Sequence, residues 1–142
     1  MLLSDVSKLS ARLQVLIVDD DDNAASSLGE LVVLLGHEAL VANRGAAALE
    51  IAQTTPVDVA MLDIEMPEMD GHEVARRLLL LRRQAVYMVA VTGRGSEADM
   101  QRSVTAGFIE HVVKPCTMRQ LSKVLGRAAA HLHTRRRAVE SS

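Results

Sequence analysis

The stretch VLIVDDDD, residues 15–22, runs directly from four apolar residues into four aspartates. An apolar run of this kind is typical of a strand that is covered by helices on both faces of a parallel sheet. Four similar runs follow along the chain: EALVA (38–42), VDVAML (57–62), VYMVAV (86–91) and HVV (111–113). Stretches with helical spacing separate them. The alternation predicts an α/β domain with a parallel sheet of five strands and right-handed crossovers.

Apolar residues at helical spacing mark the segments between the runs. In the first segment Leu28, Leu31, Val32 and Leu35 follow a period of about 3.6 residues, and Gly36 is placed to end the helix. Four more helices are indicated by Ala48 and Leu49, by Val74, Leu78 and Leu81, by Met100 and Val104, and by Leu121, Val124, Leu125, Ala128 and Leu132.

Size and composition fit a single domain of this kind. The chain has 142 residues, enough for one core, and its net charge of −2 creates no strong field for nucleic acid or an anionic membrane. Cys116 is the only cysteine, which excludes an internal disulfide. No apolar run approaches the roughly 20 residues of a membrane span. We therefore expect a cytoplasmic protein without a membrane or nucleic acid partner.

The domain is expected to span residues 14–133, between an N-terminal extension (1–13) and a basic C-terminal tail (134–142). The tail contains three consecutive arginines, at positions 135–137. These arginines can be explained by the favourable interaction of basic residues at a helix end with the helix dipole. The alternative explanation is that they form a docking site for an acidic partner. Nucleic acid binding is not expected, because no helix-turn-helix follows.

Polar residues follow four of the five apolar runs directly. Asp19 and Asp20 follow the first run, Asp63 the third, Thr92 the fourth and Lys114 the fifth. In open α/β sheets, functional sites form beyond the carboxyl ends of the strands. The sequence therefore predicts that these five side chains meet at one edge of the sheet.

Each of these residues alone also has an ordinary structural explanation. An aspartate after a strand is often a helix N-cap, a role open here to Asp22 or Asn23, and a single threonine or lysine in a loop is usually solvated. Three clustered carboxylates, however, raise one another's pKa unless a cation compensates. Lys114 supplies one positive charge, and oxygen-only ligands suit Mg²⁺ for the remainder. The set predicts a functional acidic site that binds Mg²⁺.

Four segments resemble, in order, the motifs of response-regulator receiver domains: VLIVDDDDNAA, MLDIEMPEMDG, VAVTGRG and VVKPC. The spacing from Asp63 to Thr92 and on to Lys114 is also close to that of the family, and the resemblance covers about residues 13–133. It implies a flavodoxin-like, doubly wound (βα)5 fold with strand order 2-1-3-4-5. It also implies a phosphorylation-dependent switch of two-component or phosphorelay signalling, and not a classical enzyme.

The resemblance assigns Asp63 as the residue that accepts a phosphoryl group. Asp20 and Asp63 would bind Mg²⁺ through their side chains, Glu65 through its backbone carbonyl and Asp19 through water. Glu65 and Arg94 occupy positions that tune, in this family, how fast the phosphoryl group is lost to water.

Lys114 would pair with one phosphoryl oxygen and Thr92 would donate a hydrogen bond to another. The family usually has a tyrosine or phenylalanine three residues before the lysine, a ring that changes rotamer together with the threonine. This chain has His111 there, which predicts a switch that is altered or coupled to pH. An ordinary exposed histidine of an edge strand is the alternative. Pro115 is consistent with a cis Lys114–Pro115 bond, as in the family.

The resemblance also implies two kinds of partner. A sensor histidine kinase or a histidine phosphotransfer domain would donate the phosphoryl group. A downstream protein is expected on the face formed by the fourth helix, the fifth strand and the last helix, roughly residues 96–128. A stand-alone regulator and a receiver module of a hybrid sensor kinase both fit the sequence.

Two other interpretations remain open. In a haloacid-dehalogenase-like phosphohydrolase, Asp19 would be the nucleophile and Asp21 the general acid, but Asp63 and its MPEMDG loop would be unexplained. A degenerate receiver would bind a partner without phosphorylation, which the complete set of aspartates, threonine and lysine argues against.

Overall fold

The computed structural model describes residues 12–81, 85–93 and 107–141. Its strands are β1 (Gln14–Val18), β2 (Glu38–Ala42), β3 (Val59–Asp63), β4 (Tyr87–Thr92) and β5 (Glu110–Val113). Its helices are α1 (Asp22–Leu34), α2 (Gly45–Thr54), α3 (Gly71–Leu81) and α4 (Met118–Ser141). The predicted helix marked by Met100 and Val104 lies outside the described residues.

All four neighbouring strand pairs are parallel, and the strands are ordered β2-β1-β3-β4-β5. The predicted fold class and strand order are therefore confirmed. The register pairs Val18 with Leu62 and Leu62 with Ala90, so the central strands end at nearly the same level. This level is the edge at which the sequence placed its polar residues.

The strands alternate their side chains between two apolar layers. Leu16 and Leu62 face the layer that contains the buried residues of α2 and α3. Ile17 and Met61 face the opposite layer, which contains those of α1 and α4. Because both faces are covered, the strands carry apolar residues on both sides, as the runs in the sequence predicted.

Helix α1 ends at the predicted glycine. Gly36 has a φ of +91°, a left-handed conformation that glycine adopts without steric cost. The strand predicted from Val57 begins two residues later, at Val59, and Val57 is buried just before it.

Helix α4 runs without a break across the expected domain end at residue 133 and continues to Ser141. Its apolar contacts with the core reach as far as Leu132. Beyond that point Arg136 forms an ion pair with Asp58, at 2.7 Å between Nη2 and Oδ1. The start of the basic tail is therefore helical and held against the domain.

Candidate functional site

The carboxyl ends of four neighbouring strands bring five polar residues to one edge of the sheet. Asp63 and Thr92 are the last residues of β3 and β4, Asp19 and Asp20 follow β1, and Lys114 follows β5. We call these five residues the acidic edge. Asp19, Asp63 and Thr92 are buried, Lys114 is half-buried and Asp20 is exposed. All five lie together where the strand ends of the sequence placed them.

Lys114 lies between two of the carboxylates. Its Nζ is 2.8 Å from Oδ2 of Asp19 and 3.4 Å from Oδ2 of Asp63. One carboxylate oxygen from each of Asp19, Asp20 and Asp63 lies within 4.8 Å of the other two. A single ammonium group therefore serves two buried carboxylates, with a third carboxylate beside them.

The backbone fixes the orientation of both buried carboxylates. Oδ1 of Asp19 accepts a hydrogen bond from the backbone N–H of Asp21 at 2.9 Å. In the same way, Oδ1 of Asp63 accepts one from the N–H of Glu65 at 3.1 Å. Each side chain thus has one oxygen bound to its own loop while the other oxygen points toward Lys114.

The electrostatics of the acidic edge are only partly balanced. Burial, followed by the charge of Asp19, raises the pKa of Asp63 to about 6, although Lys114 and the N–H of Glu65 oppose this. Burial alone would lower the pKa of Lys114, but its hydrogen bonds and charge interactions with Asp19 and Asp63 raise it overall. Lys114 is therefore a cation at neutral pH, and the carboxylates still lack a second positive charge.

The donor set at this edge fits a hard divalent cation. Three carboxylates provide oxygen ligands only, which is the chemistry that Mg²⁺ prefers. A divalent ion would also offset the burial and the repulsion from Asp19 that together raise the pKa of Asp63. Glu65 lies on the same loop, bound through its N–H to Asp63, and its side chain is exposed.

Asp21 has a structural role next to this edge. Its Oδ1 accepts hydrogen bonds from the N–H groups of Asn23 and Ala24, which makes it the N-cap of α1. The expectation of a cap at Asp22 or Asn23 was therefore wrong by one or two residues. Either neighbour would have offered the same chemistry, but only Asp21 has the extended backbone that a cap requires.

The loop after β3 is held against the site by a glycine. An added Cβ at Gly71, the first residue of α3, would lie 2.5 Å from the backbone oxygen of Asp63. Asp70 caps the helix by accepting a hydrogen bond from the N–H of Glu73 at 3.0 Å. Asp70 and Gly71 thus begin the helix that Val74, Leu78 and Leu81 indicated in the sequence. The close approach to Asp63 gives Gly71 an additional role that the sequence pattern did not indicate.

The strands that carry Thr92 and Lys114 are linked through the backbone. The N–H of Lys114 donates to the carbonyl oxygen of Thr92 at 2.8 Å, and the Lys114–Pro115 peptide bond is cis. The ends of β4 and β5 are therefore joined directly beside the acidic edge. Arg94 lies outside the described residues.

His111 is half-buried on β5, on the side that faces α3. Its Nε2 is buried without a hydrogen-bond partner among the described residues, and burial, followed by His72, lowers its pKa. The ring of Phe108 lies 6.5 Å from that of His111 and meets the ring of His72 edge-on at 6.0 Å. Neither Phe108 nor His72 belongs to a motif or follows a strand directly. Phe108 is the only phenylalanine of a chain that has one tyrosine and no tryptophan, and this rarity is the one indication of it in the sequence.

A family model and individual relatives of known name place this chain in the same family. Residues 15–126 match the family described as "Response regulator receiver domain". Sensory transduction protein RegX3 of Mycobacterium tuberculosis is 36% identical over 107 residues, which cover 75% of this chain and 46% of RegX3. Regulatory protein AtoC of Escherichia coli is 32% identical over 125 residues, covering 84% and 26%. The chain thus spans less than half the length of these relatives.

Solved structures share the fold over most of the chain. A CheY-like receiver domain protein from Methanospirillum hungatei superposes with a TM-score of 0.80 at 25% identity, covering 87% of this chain and 98% of its own. Chemotaxis protein CheY4 of Vibrio cholerae superposes with a TM-score of 0.77 at 28% identity, covering 83% of this chain and 99% of its own.

Within the described residues, the helices are too short or too polar to span a membrane.

Proposed function

We propose, on the premise that this chain belongs to the response regulator receiver domain family, that Asp63 is its phosphoryl acceptor. Members of this family are phosphorylation-dependent switches of two-component signalling. The donor would be a phosphohistidine of a sensor histidine kinase or of a histidine phosphotransfer domain. Asp19, Asp20 and Asp63 would hold Mg²⁺, with the backbone carbonyl of Glu65 as a further ligand.

The observation that supports this proposal best is the placement of Asp63. It is a buried carboxylate at the end of a central strand, with Lys114 at 3.4 Å and a second buried carboxylate beside it. One of its oxygens would attack phosphorus in line while the P–N bond breaks and the imidazole leaves. Bound Mg²⁺ would supply the positive charge that allows an anionic donor to approach.

Lys114 and Thr92 would stabilise the acyl phosphate. Formation of the acyl phosphate removes the negative charge of the Asp63 carboxylate, so Lys114 becomes free to pair with a phosphoryl oxygen. The hydroxyl of Thr92 would donate to another oxygen. The phosphoryl group would then be lost slowly to water, so that the protein is a switch and not a turnover enzyme.

The hydrolase interpretation has less support. Asp21 would have to act as a general acid, but its carboxylate caps α1 through two backbone N–H groups. That interpretation also leaves Asp63, which is buried beside Lys114 and Asp19, without a role. A degenerate receiver is also disfavoured, because the acidic edge is complete.

The direct test is phosphorylation by acetyl phosphate with Mg²⁺, followed by intact mass. We expect one added phosphoryl group in the unmodified protein and none in Asp63→Asn. Asp58→Asn, a matched change at the opposite end of the sheet, should still be phosphorylated. Labelling of Asp63→Asn together with loss of labelling in Asp19→Asn would instead support the hydrolase interpretation.

The metal is tested separately from the acceptor. EDTA should stop the reaction, and Asp20→Ala should weaken Mg²⁺ binding at least about tenfold, because loss of even a residue that only supports a ligand has an effect of this size at metal sites. An unchanged Mg²⁺ affinity in Asp20→Ala would show that the ligand assignment is wrong, whatever the result for Asp63.

We propose that a downstream protein binds the face formed by the fourth predicted helix, β5 and the last helix, roughly residues 96–128. Its described part exposes Val113 and Met118, and the Thr92–Lys114 backbone link leads to it from the acidic edge. Beryllofluoride, an acyl-phosphate mimic, should shift the NMR signals of residues 107–128. Shifts confined to the Asp63 loop and α1 would overturn this assignment. A cytoplasmic location stays a prediction.

A further inference from the structure

A groove with exposed apolar residues lies between α1 and the edge strand β2. Val33 and Leu34, at the end of α1, are 59% and 73% exposed, and Val41 on β2 is 44% exposed. We call this surface the α1–β2 groove; its lining consists of Ser26, Gly29, Glu30, Val33, Leu34, Ala39 and Val41. A sheet edge with exposed apolar side chains is prone to unwanted pairing unless it is covered.

The floor of the α1–β2 groove is formed by a close approach of the helix to the strand. A Cβ added at Gly29 would lie 3.2 Å from Cγ2 of Val41 and 3.7 Å from the Cβ of Ala39. Glycine therefore lets α1 lie tightly on β2 and leaves Val33 and Leu34 standing above the floor. This shape can receive a row of apolar side chains from another segment.

The chain enters β1 at one end of this groove. The N–H of Leu13 donates to Nδ1 of His37 at 3.0 Å, and its carbonyl oxygen accepts from the N–H of Glu38 at 3.0 Å. Arg12 forms an ion pair with Glu38 at 3.6 Å. Glu38 directly precedes Ala39 of the groove lining, so the segment before Arg12 begins next to the groove.

Residues 1–11 lie outside the described residues, but their sequence, MLLSDVSKLSA, has apolar residues at helical spacing. Leu2, Val6 and Leu9 are spaced four and three residues apart, the pattern of one face of a helix. Met1, Leu3 and Ala11 are the other apolar residues of the segment, and serine, aspartate and lysine fill the remaining positions. A helix of this length is marginal by itself in water, so it requires an apolar surface on which to bury its stripe.

The dimensions and the charges of the two parts match. Eleven residues form a helix of about 16 Å, and the part of α1 that lines the groove, residues 26–34, spans about 13 Å. Lys8 is the only cation of the segment before Arg12, and Glu30 is the acidic residue of the groove lining.

We infer that residues 1–11 pack as an amphipathic helix into the α1–β2 groove of their own chain. Leu2, Val6 and Leu9 contact Val33, Leu34 and Val41 there. The segment covers the edge of the sheet that β2 would otherwise expose. It also contacts the helix that directly follows Asp19 and Asp20, at the end of α1 that is remote from the acidic edge.

The test uses the full chain with isotope-labelled valine and leucine methyl groups. We expect nuclear Overhauser contacts between the methyls of Val6 or Leu9 and those of Val33 or Val41. Val6→Asp should abolish these contacts and shift the Val33 and Val41 signals. The matched control Ser7→Asp places the same charge on the polar side and should leave the signals in place. Both variants keep residues 12–142 intact.

Two outcomes would overturn the inference. If Val6→Asp leaves the Val33 and Val41 signals unchanged, residues 1–11 do not occupy the groove. If the contacts weaken on dilution while sedimentation shows a dimer dissociating, a second copy of the chain is the occupant. Contacts that persist at a concentration where the protein is monomeric support packing within one chain.

Discussion

The two ends of the parallel sheet both carry acidic side chains next to cations, but their charges are balanced differently. At the acidic edge Asp19 and Asp63 share one cation, Lys114. At the opposite end each of two carboxylates has an arginine of its own. We call Asp58, Glu110, Arg127 and Arg136 the arginine-paired end.

Asp58 shows how completely a carboxylate is satisfied at the arginine-paired end. It directly precedes β3, and its Oδ2 accepts the N–H of Gln14 at 2.8 Å. Its Oδ1 accepts from Arg136 at 2.7 Å. Both carboxylate oxygens of Asp58 are thus bound by groups of the protein itself, and neither is unpaired and available to a ligand.

Glu110 is satisfied in a similar way. Arg127 donates to both of its oxygens, at 2.6 and 3.1 Å, and the buried hydroxyl of Tyr87 donates to Oε2. Burial alone would raise the pKa of Glu110, but these hydrogen bonds hold it below its usual range. Burial, with the Glu110 hydrogen bond, raises the pKa of Tyr87 to about 12.

The comparison shows how to tell a functional charge cluster from a structural one in this molecule. The pKa of Glu110 is lowered, whereas the pKa of Asp63 is raised. A buried carboxylate with too little positive charge is costly for the fold but ready to bind a cation and a phosphoryl group. Removing the charge of a carboxylate should therefore change stability in opposite directions at the two ends.

The largest effect is expected from Asp63→Asn, which should stabilise the fold at pH 7. A pKa that rises from 3.8 in the unfolded chain to about 6 corresponds to about 3 kcal/mol, and water at the rim reduces this to about 2 kcal/mol. The folded form binds the proton more tightly, so the ionised carboxylate is destabilising at high pH. Urea unfolding at several pH values measures the gain.

The pH dependence identifies the cause of this gain. The gain in stability of Asp63→Asn should shrink as the pH falls from 6 to 3.8, because Asp63 of the unmodified protein becomes protonated first in the folded state and then in the unfolded state. Mg²⁺ should narrow the difference, since it stabilises only the unmodified protein. The exposed Asp20→Asn is the control and should change stability less. A loss of stability in Asp63→Asn at pH 7 would contradict the proposed balance of charges.

Lys114→Met should have the next largest effect, with the opposite sign. It removes the one cation between Asp19 and Asp63, and we expect a loss of about 1.5 kcal/mol, between the values for exposed and buried ion pairs. Mg²⁺ should restore part of the loss. The exposed Lys123→Met provides the control. An unchanged free energy of unfolding would mean that Lys114 does not balance these carboxylates.

The sequence predicted the fold and the acidic edge because both depend on local order along the chain. Apolar runs alternate with helical stripes, and each run is followed by its polar residue. Parallel strands then bring Asp63, Thr92 and Lys114 together without any further information. The N-cap was misplaced by one or two residues, because Asp21 and its neighbours carry equivalent oxygen acceptors.

The arginine-paired end could not be predicted in the same way. Asp58 and Arg136 are 78 residues apart, and Arg127 is 17 residues from Glu110. Neither pair follows a motif, and the sequence does not indicate which of its 13 arginines would reach Asp58 or Glu110. The extension of α4 beyond Leu132 also has no apolar stripe, so the pattern that indicated the other helices does not reach it.

Glu110→Gln tests whether the arginine-paired end responds oppositely to Asp63. We expect a loss of about 1 kcal/mol at pH 7, since a charged hydrogen-bond acceptor becomes neutral. The pKa of Glu110 is lowered in the folded protein, so this stabilisation is present above its unfolded value of 4.5 and disappears as the pH falls below it. Glu50→Gln, on the exposed face of α2, is the control. A gain in stability would remove the distinction between the two ends.

The smallest effect is expected from Arg136→Met, which separates the end of α4 from the domain. The Arg136 side chain is 39% exposed, so its ion pair with Asp58 should contribute only about 0.5 kcal/mol. Asp58 keeps its hydrogen bond from Gln14, and the methionine still covers the apolar surface that the arginine stem covered.

Global stability is therefore a poor measure of this contact, and amide hydrogen exchange of residues 133–138 is a better one. Those amides should exchange several times faster in Arg136→Met, while exchange in β3 stays the same. Arg135→Met and Arg137→Met remove exposed neighbours and should leave the helix end protected. Equal exchange in all three variants would show that the ion pair does not hold α4 beyond Leu132.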